Sequence, residues 1–120
     1  PEELLILKTR RNIILQWAGR YFVNIPAVFM KQLKWIKGEL LSIEIVENKI
    51  FIKKLMVARK SARTMKLQEA GRYFLNIPAE FISSLRWVKG QNLDLEIISD
   101  KYLRLELPYK IKASYLEEEE

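Results

Sequence analysis

Gly19-Arg20-Tyr21-Phe22-Val23-Asn24-Ile25-Pro26-Ala27 returns later in the chain as Gly71-Arg72-Tyr73-Phe74-Leu75-Asn76-Ile77-Pro78-Ala79. The match extends without a gap from Leu15 to Lys49 and from Leu67 to Lys101, with about twenty of about thirty-five paired positions identical at an offset of about 52 residues. The protein is a duplicated unit. At 120 residues the chain has the size of one ordinary domain, whereas a unit of roughly 50 residues buries too little surface to be comfortably stable alone. The two copies, 1–54 and 55–112, are therefore expected to complete one core together, with 113–120 as an acidic tail.

Within one unit, Ile13-Ile14-Leu15-Gln16 is a short β-prone run punctuated by Ala18-Gly19, and Tyr21 to Ile25 is a second, rich in aromatic and branched residues. Pro26 suits the first turn of a helix, where its missing N–H costs nothing. Phe29 and Leu33 stand four apart, on one helical face, and Gly38 offers a break after Trp35-Ile36. Leu41, Ile43 and Ile45 alternate with Ser42 and Glu44, as in a half-buried strand. Glu47-Asn48-Lys49 reads as a tight turn, with Asn48 suited to positive φ, and Ile50-Phe51-Ile52 pairs back as a hairpin. The order is strand, strand, short helix, strand, strand, repeated in the second copy with Ser99-Asp100-Lys101 at the turn. Trp35, Trp87, Phe29 and Phe81 read as core, and Gly38 and Gly90 as turn glycines. Leu55 to Ala62, between the copies, contains neither Pro nor Gly and reads as structured chain.

The chain has no cysteine and no histidine, so disulfides, thiolate chemistry and the common zinc and iron sites are excluded, and the usual general base near neutral pH is missing. No enzyme activity, cofactor or metal is expected. No apolar run approaches the ~20 residues that span a membrane. Leu4 to Leu7 is short and lacks a basic flank, so no signal peptide is read there and a cytoplasmic location is the expectation. The net charge is +6, and it is uneven: residues 1–66 hold 14 Lys/Arg against 5 Asp/Glu, and residues 67–120 hold 7 against 10. A basic body suggests a polyanionic partner, most often nucleic acid.

Side-chain alternation along the second strand of the unit puts Tyr21, Val23 and Ile25 on the buried face and Arg20, Phe22 and Asn24 on the other. Arg72, Phe74 and Asn76 occupy the same places in the second copy. Arg matches the hydrogen-bonding edge of guanine and Asn that of adenine, so these two pairs are candidate base readers. Upstream lie Lys8, Arg10 and Arg11, with Lys60 and Arg63 as counterparts in the second copy, placed to hold phosphates.

At Gly19-Arg20, Ile25-Pro26, the short helix to Leu33, Lys37-Gly38 and the Asn48-Lys49 hairpin, the unit resembles the AbrB/SpoVT/MazE superfamily of swapped-hairpin β-barrels. Trp17-Ala18-Gly19 with Ile25-Pro26-Ala27 and Met30 looks particularly like the antitoxin branch, and Gly71-Arg72, Ile77-Pro78 and Lys89-Gly90 repeat the pattern. The resemblance implies a mainly β fold with short helices, a swapped-hairpin barrel made as a pseudo-dimer from two tandem units, and double-stranded DNA as partner. It implies DNA contact by Arg20 and Arg72. The stretch from Gly to Pro is two residues longer than in AbrB itself, and where AbrB carries paired helix arginines this chain has Met30-Lys31 and Ile82-Ser83. Lys31 keeps one base, and Lys34 and Arg86 are candidates to compensate for the others.

The first expectation is a sequence-specific DNA-binding transcriptional regulator. The second is a MazE-like antitoxin that binds a toxin and autoregulates its operon, although the segment from Lys110 to Glu120 is short for a toxin-binding arm. The third is a protein-interaction module on the same fold, and pairing of two such chains into a homodimer is left open.

Overall fold

The computed structural model describes residues 8–16, 20–55, 63–69 and 72–108. Strands β1 (Lys8–Asn12), β2 (Ile14–Gln16) and β3 (Arg20–Ile25) lead into helix α1 (Ala27–Leu33), followed by the hairpin β4 (Leu40–Val46) and β5 (Lys49–Lys54). The second copy repeats this as β6 (Thr64–Lys66), β7 (Gln68–Glu69), β8 (Tyr73–Ile77), α2 (Ala79–Leu85), β9 (Asn92–Ile98) and β10 (Tyr102–Glu106). Among the described residues the protein is mainly β with two short helices. Lys60, residues 56–62 of the inter-copy stretch and the tail 113–120 lie outside the described residues.

Short local signals build these elements. Each helix starts after a proline, Pro26 or Pro78, whose carbonyl accepts from the N–H groups three and four residues on. Pro26 thus sits at the cap rather than inside the first turn. Each helix ends on a residue in the left-handed region, Lys34 (φ 59°) or Arg86 (φ 62°), four residues before the expected glycine break. The N–H of Trp35 then returns to the Met30 carbonyl and that of Trp87 to Ile82, a capping pattern that drives each tryptophan into the core. Both hairpins turn through two residues with positive φ, Glu47-Asn48 and Ser99-Asp100, the geometry that matches strand twist.

The strands form two sheets, a six-stranded one in the order β1-β9-β10-β5-β4-β6 and a four-stranded one in the order β2-β3-β8-β7. All these pairings are antiparallel; the copies interleave in the six-stranded sheet and lie side by side in the four-stranded one, joined by the β3–β8 ladder. β3 pairs with β8 so that Val23 faces its own counterpart Leu75, which puts a pseudo-two-fold axis through that pair. β5 pairs with β10 about the same axis, and the first strand of each copy lies against the hairpin of the other, β1 on β9 and β6 on β4.

The expected single barrel differs from this arrangement. Among the described residues the ladders make two sheets, joined at both edges by chain that turns a corner in one residue, Ile13 between β1 and β2 and Leu67 between β6 and β7. Each corner docks on the glycine turn of the opposite copy. Gly90 donates to the Ile13 carbonyl at 2.8 Å and Ile13 to that of Gln91 at 2.9 Å; Gly38 donates to Leu67 at 2.8 Å and Leu67 to Glu39 at 3.0 Å. Gly38 and Gly90, with φ of 83° and 84°, supply the left-handed conformation that these turns require.

These corners also correct the alignment of the copies. Ile13 and Leu67 are structural equivalents, both 1% exposed, yet they stand 54 residues apart rather than 52. The first hairpin of the first copy is therefore two residues longer, and the identity of Leu15-Gln16 with Leu67-Gln68 is not a structural equivalence. What decides the register is burial of an aliphatic side chain at the corner. In this register Thr9, not a basic residue, holds the place of Arg63, and Arg11 holds that of Met65.

One buried apolar cluster runs through both copies. Val23, Phe29, Leu41, Ile50 and Ile52 contribute from the first and Leu75, Leu93, Leu95, Leu103 and Leu105 from the second, each fully buried. Full burial of such a side chain stabilises by about 1.5–3 kcal/mol, so both copies contribute substantially to this one core.

Candidate nucleic-acid interface

The alternation read from the sequence holds in β3 and β8. Val23, Ile25, Leu75 and Ile77 are buried and Tyr21 and Tyr73 pack against the core, while Arg20 and Arg72 are exposed and Phe22, Asn24, Phe74 and Asn76 are half-buried. On this outer face of the four-stranded sheet, Phe22 and Phe74 meet edge to face across the pseudo-two-fold axis, with centroids 5.3 Å apart. Phe22 stands directly opposite Asn76 and Asn24 opposite Phe74.

Two grooves open to either side of the axis. The first, of about 380 Å³, is lined by Arg20 and Tyr21 of the first copy and by Arg63, Thr64, Met65 and Asn76 to Ala79 of the second. The second, of about 440 Å³, is lined by Arg11 and Asn24 to Ala27 of the first copy and by Arg72 and Tyr73 of the second. They are pseudo-symmetric images. Antiparallel pairing of β3 with β8 brings the arginine of one copy to the asparagine of the other, so each groove joins Arg20 with Asn76 or Arg72 with Asn24. The sequence places an Arg and an Asn of each copy on one face; the ladder shows that each arginine shares a groove with the asparagine of the other copy. The Oδ1 of Asn76 is shielded from solvent and accepts no hydrogen bond among the described residues.

The upstream bases divide by strand parity. Arg11 and Thr9 stand opposite Leu93 and Leu95 and share the inward face of β1, and Arg11 reaches the second groove. Its Nη1 donates to the Thr9 hydroxyl at 2.9 Å and to the Arg10 carbonyl at 2.8 Å. Lys8 and Arg10 take the opposite face, on the outside of the six-stranded sheet, away from both grooves. There Arg10 Nε donates to Asp94 Oδ1 at 2.8 Å, and Lys8 Nζ lies 3.8 Å from Asp94 Oδ2. Asp94 is buried, at 4% exposure, and a buried carboxylate demands such partners. Lys8, Arg10 and Arg11 were expected to act as one group of phosphate holders, and a period of two separates them.

Arg63 sits at the rim of the first groove under a restraint that the sequence did not suggest. Its two Nη atoms donate to Glu80 Oε1 and Oε2 at 3.0 and 3.1 Å, and its guanidinium lies over the Phe81 ring, 5.6 Å from the centroid. The hydrogen bonds to Arg63 hold the Glu80 carboxyl below the usual carboxylate range, and those to Glu80 raise the Arg63 guanidinium above its ordinary value. Lys31, Lys34 and Arg86 are exposed at the ends of the helices and line neither groove. Tyr21, Tyr73 and Glu80 were missed in the sequence; the tyrosines share the inward parity of the core, and Glu80 lies seventeen residues from its partner. Among the described residues no group of three acidic side chains gathers that could hold a metal ion, and no helix is long and apolar enough to cross a membrane.

No family model matches the chain, and no curated protein or solved structure shows significant similarity to it.

Proposed function

We propose that the chain is a sequence-specific DNA-binding transcriptional regulator of AbrB type, in which two tandem units interlock as swapped hairpins to make a dimer within one polypeptide. The observation that carries this reading is the pair of pseudo-symmetric grooves, each joining an arginine of one copy to an asparagine of the other on one sheet face. β3 and β8 are the central pair of the four-stranded sheet, and in the major groove of B-DNA Arg pairs with guanine and Asn with adenine. Arg20 and Arg72, exposed on this face, and the half-buried Arg11 that reaches the second groove from β1 suit the phosphates that flank such a site.

The ladder also sets a spacing. Extending the β3–β8 register, Arg20 and Arg72 stand six residues apart along the ribbon and Asn24 and Asn76 two apart. At about 3.4 Å per residue and a similar rise per base pair, the arginines reach guanines about six base pairs apart and the asparagines reach adenines about two apart. The target is a near-palindrome that the non-identical copies make imperfect. Selection of bound duplexes from a random pool, followed by gel shifts over a range of salt, tests the reading. Affinity that ignores salt, or no enrichment of any sequence, would refute it.

A second reading, an antitoxin or protein-interaction module, has one observation in its favour. Ile36 and Val88, at equivalent positions after each helix, are 67% and 59% exposed, the two most exposed large hydrophobic side chains among the described residues. Co-purification with a small toxin partner, lost when both are changed to Ser, would favour this second reading.

A further inference from the structure

The two grooves share a plan but not a charge. In the first, Arg63 is gripped by both carboxylate oxygens of Glu80 and lies over Phe81. In the second, the place of Glu80 is taken by Val28, that of Arg63 by Thr9 and that of Met65 by Arg11. The first groove therefore carries Arg20 and a neutralised Arg63, and the second carries Arg72 and Arg11, whose side chain is oriented by Thr9 and by the Arg10 backbone rather than by an acid.

We propose that Glu80 is a positioning residue that withholds Arg63 from the DNA backbone, so that the groove of Arg11, Asn24 and Arg72 is the dominant phosphate-anchoring half of the site and the groove of Arg20 and Asn76 reads bases with one phosphate contact fewer. This rests on the DNA-binding reading above. A duplicated chain can use such a device where a true homodimer cannot, because a change in one subunit of a homodimer appears in both. The result is a fixed polarity on a near-palindromic target. The pair is solvent-exposed, 46% and 63% on its two sides, so a substitution that removes it leaves the fold undisturbed.

A four-protein comparison tests this: the wild type, Glu80→Gln, Arg63→Ala and the double variant, each titrated with a mixed-sequence DNA duplex over a fourfold range of salt. Each added phosphate contact steepens the log–log salt dependence by about 0.9, so over that range Glu80→Gln should gain about 3.5-fold more affinity on lowering the salt than the wild type does. Arg63→Ala alone should leave the wild-type slope unchanged, and the double variant should return to it. Three results overturn the proposal while leaving the DNA reading intact: a Glu80→Gln slope equal to wild type, a flatter slope for Arg63→Ala alone, or a gain that persists in the double variant and so reflects only a lost negative charge. Absence of binding by all four proteins at the lowest salt would refute the DNA reading, and this proposal with it.

Discussion

Leu75→Ala tests whether the two copies share one cooperative core. Leu75 is fully buried and stands on the pseudo-two-fold axis, directly opposite Val23 of the first copy. The substitution removes three carbon atoms, a transfer loss of about 2.4 kcal/mol at ~0.8 kcal/mol per group. A residual cavity adds to this, since neighbours drawn from both sheets of the fold cannot all relax toward it, and the total comes to about 3 kcal/mol. For 120 residues the unfolding entropy near the midpoint is roughly 0.25 kcal/mol/K, so Tm should fall by about 12 °C. Val23→Ala, removing two carbons from the facing position, should cost about 2 kcal/mol, and the double variant should deviate from additivity because the side chains face one another. Differential scanning calorimetry and circular dichroism would follow the melt. The shared core predicts a single transition that moves as a whole for either variant. Two separated transitions, with one copy melting unchanged, would show that the halves fold independently and refute the reasoning, as would a fall in Tm of less than about 4 °C.

Arg20→Ala and Arg72→Ala should each cost about 1–3 kcal/mol of specific DNA affinity and relax the preference for guanine at the matching position, measured by competition gel shift. Asp94→Asn leaves Arg10 and Lys8 without their buried carboxylate and should destabilise by about 2 kcal/mol in urea denaturation, with DNA affinity unchanged because that face lies away from the grooves. Lys34→Gly relieves a left-handed conformation in a residue that has a Cβ and should raise stability by about 0.5–1 kcal/mol, whereas Gly90→Ala, at φ 84° with open space around its Cβ, should lower it by about 1 kcal/mol through backbone strain alone. The Glu80 carboxyl is held below its ordinary value, so its ion pair contributes above the unfolded carboxylate pKa and is lost as pH falls through the lower folded value. Thermal melts below about pH 4 should therefore show a small acid-dependent loss in the wild type that Glu80→Gln lacks; the same loss in the variant would assign it to another carboxylate.

Local chemistry by itself settled most of the elements. Pro26 and Pro78 mark where the helices begin, Asn48 marks the turn between β4 and β5, and the alternation of Tyr21, Val23 and Ile25 with Arg20, Phe22 and Asn24 puts the base-reading candidates on one face. Each of these follows from a residue's own dihedral preference or from a period of two, which neighbours a few positions away suffice to express. Strand β1 was not legible in this way. Lys8 to Asn12 carries no apolar alternation and becomes a strand because β9, from the other copy, offers it a ladder with Asp94 opposite Arg10 and Glu96 opposite Lys8. The two-residue slip between copies was equally hidden, since the identity of Leu15-Gln16 with Leu67-Gln68 outweighs, in the sequence, a corner that only burial of Ile13 and Leu67 defines. The exchange of arginines and asparagines between grooves, and the grip of Glu80 on Arg63, were also decided by tertiary structure. They depend on which strands meet across the axis, and that is set by a core that neither copy can complete alone.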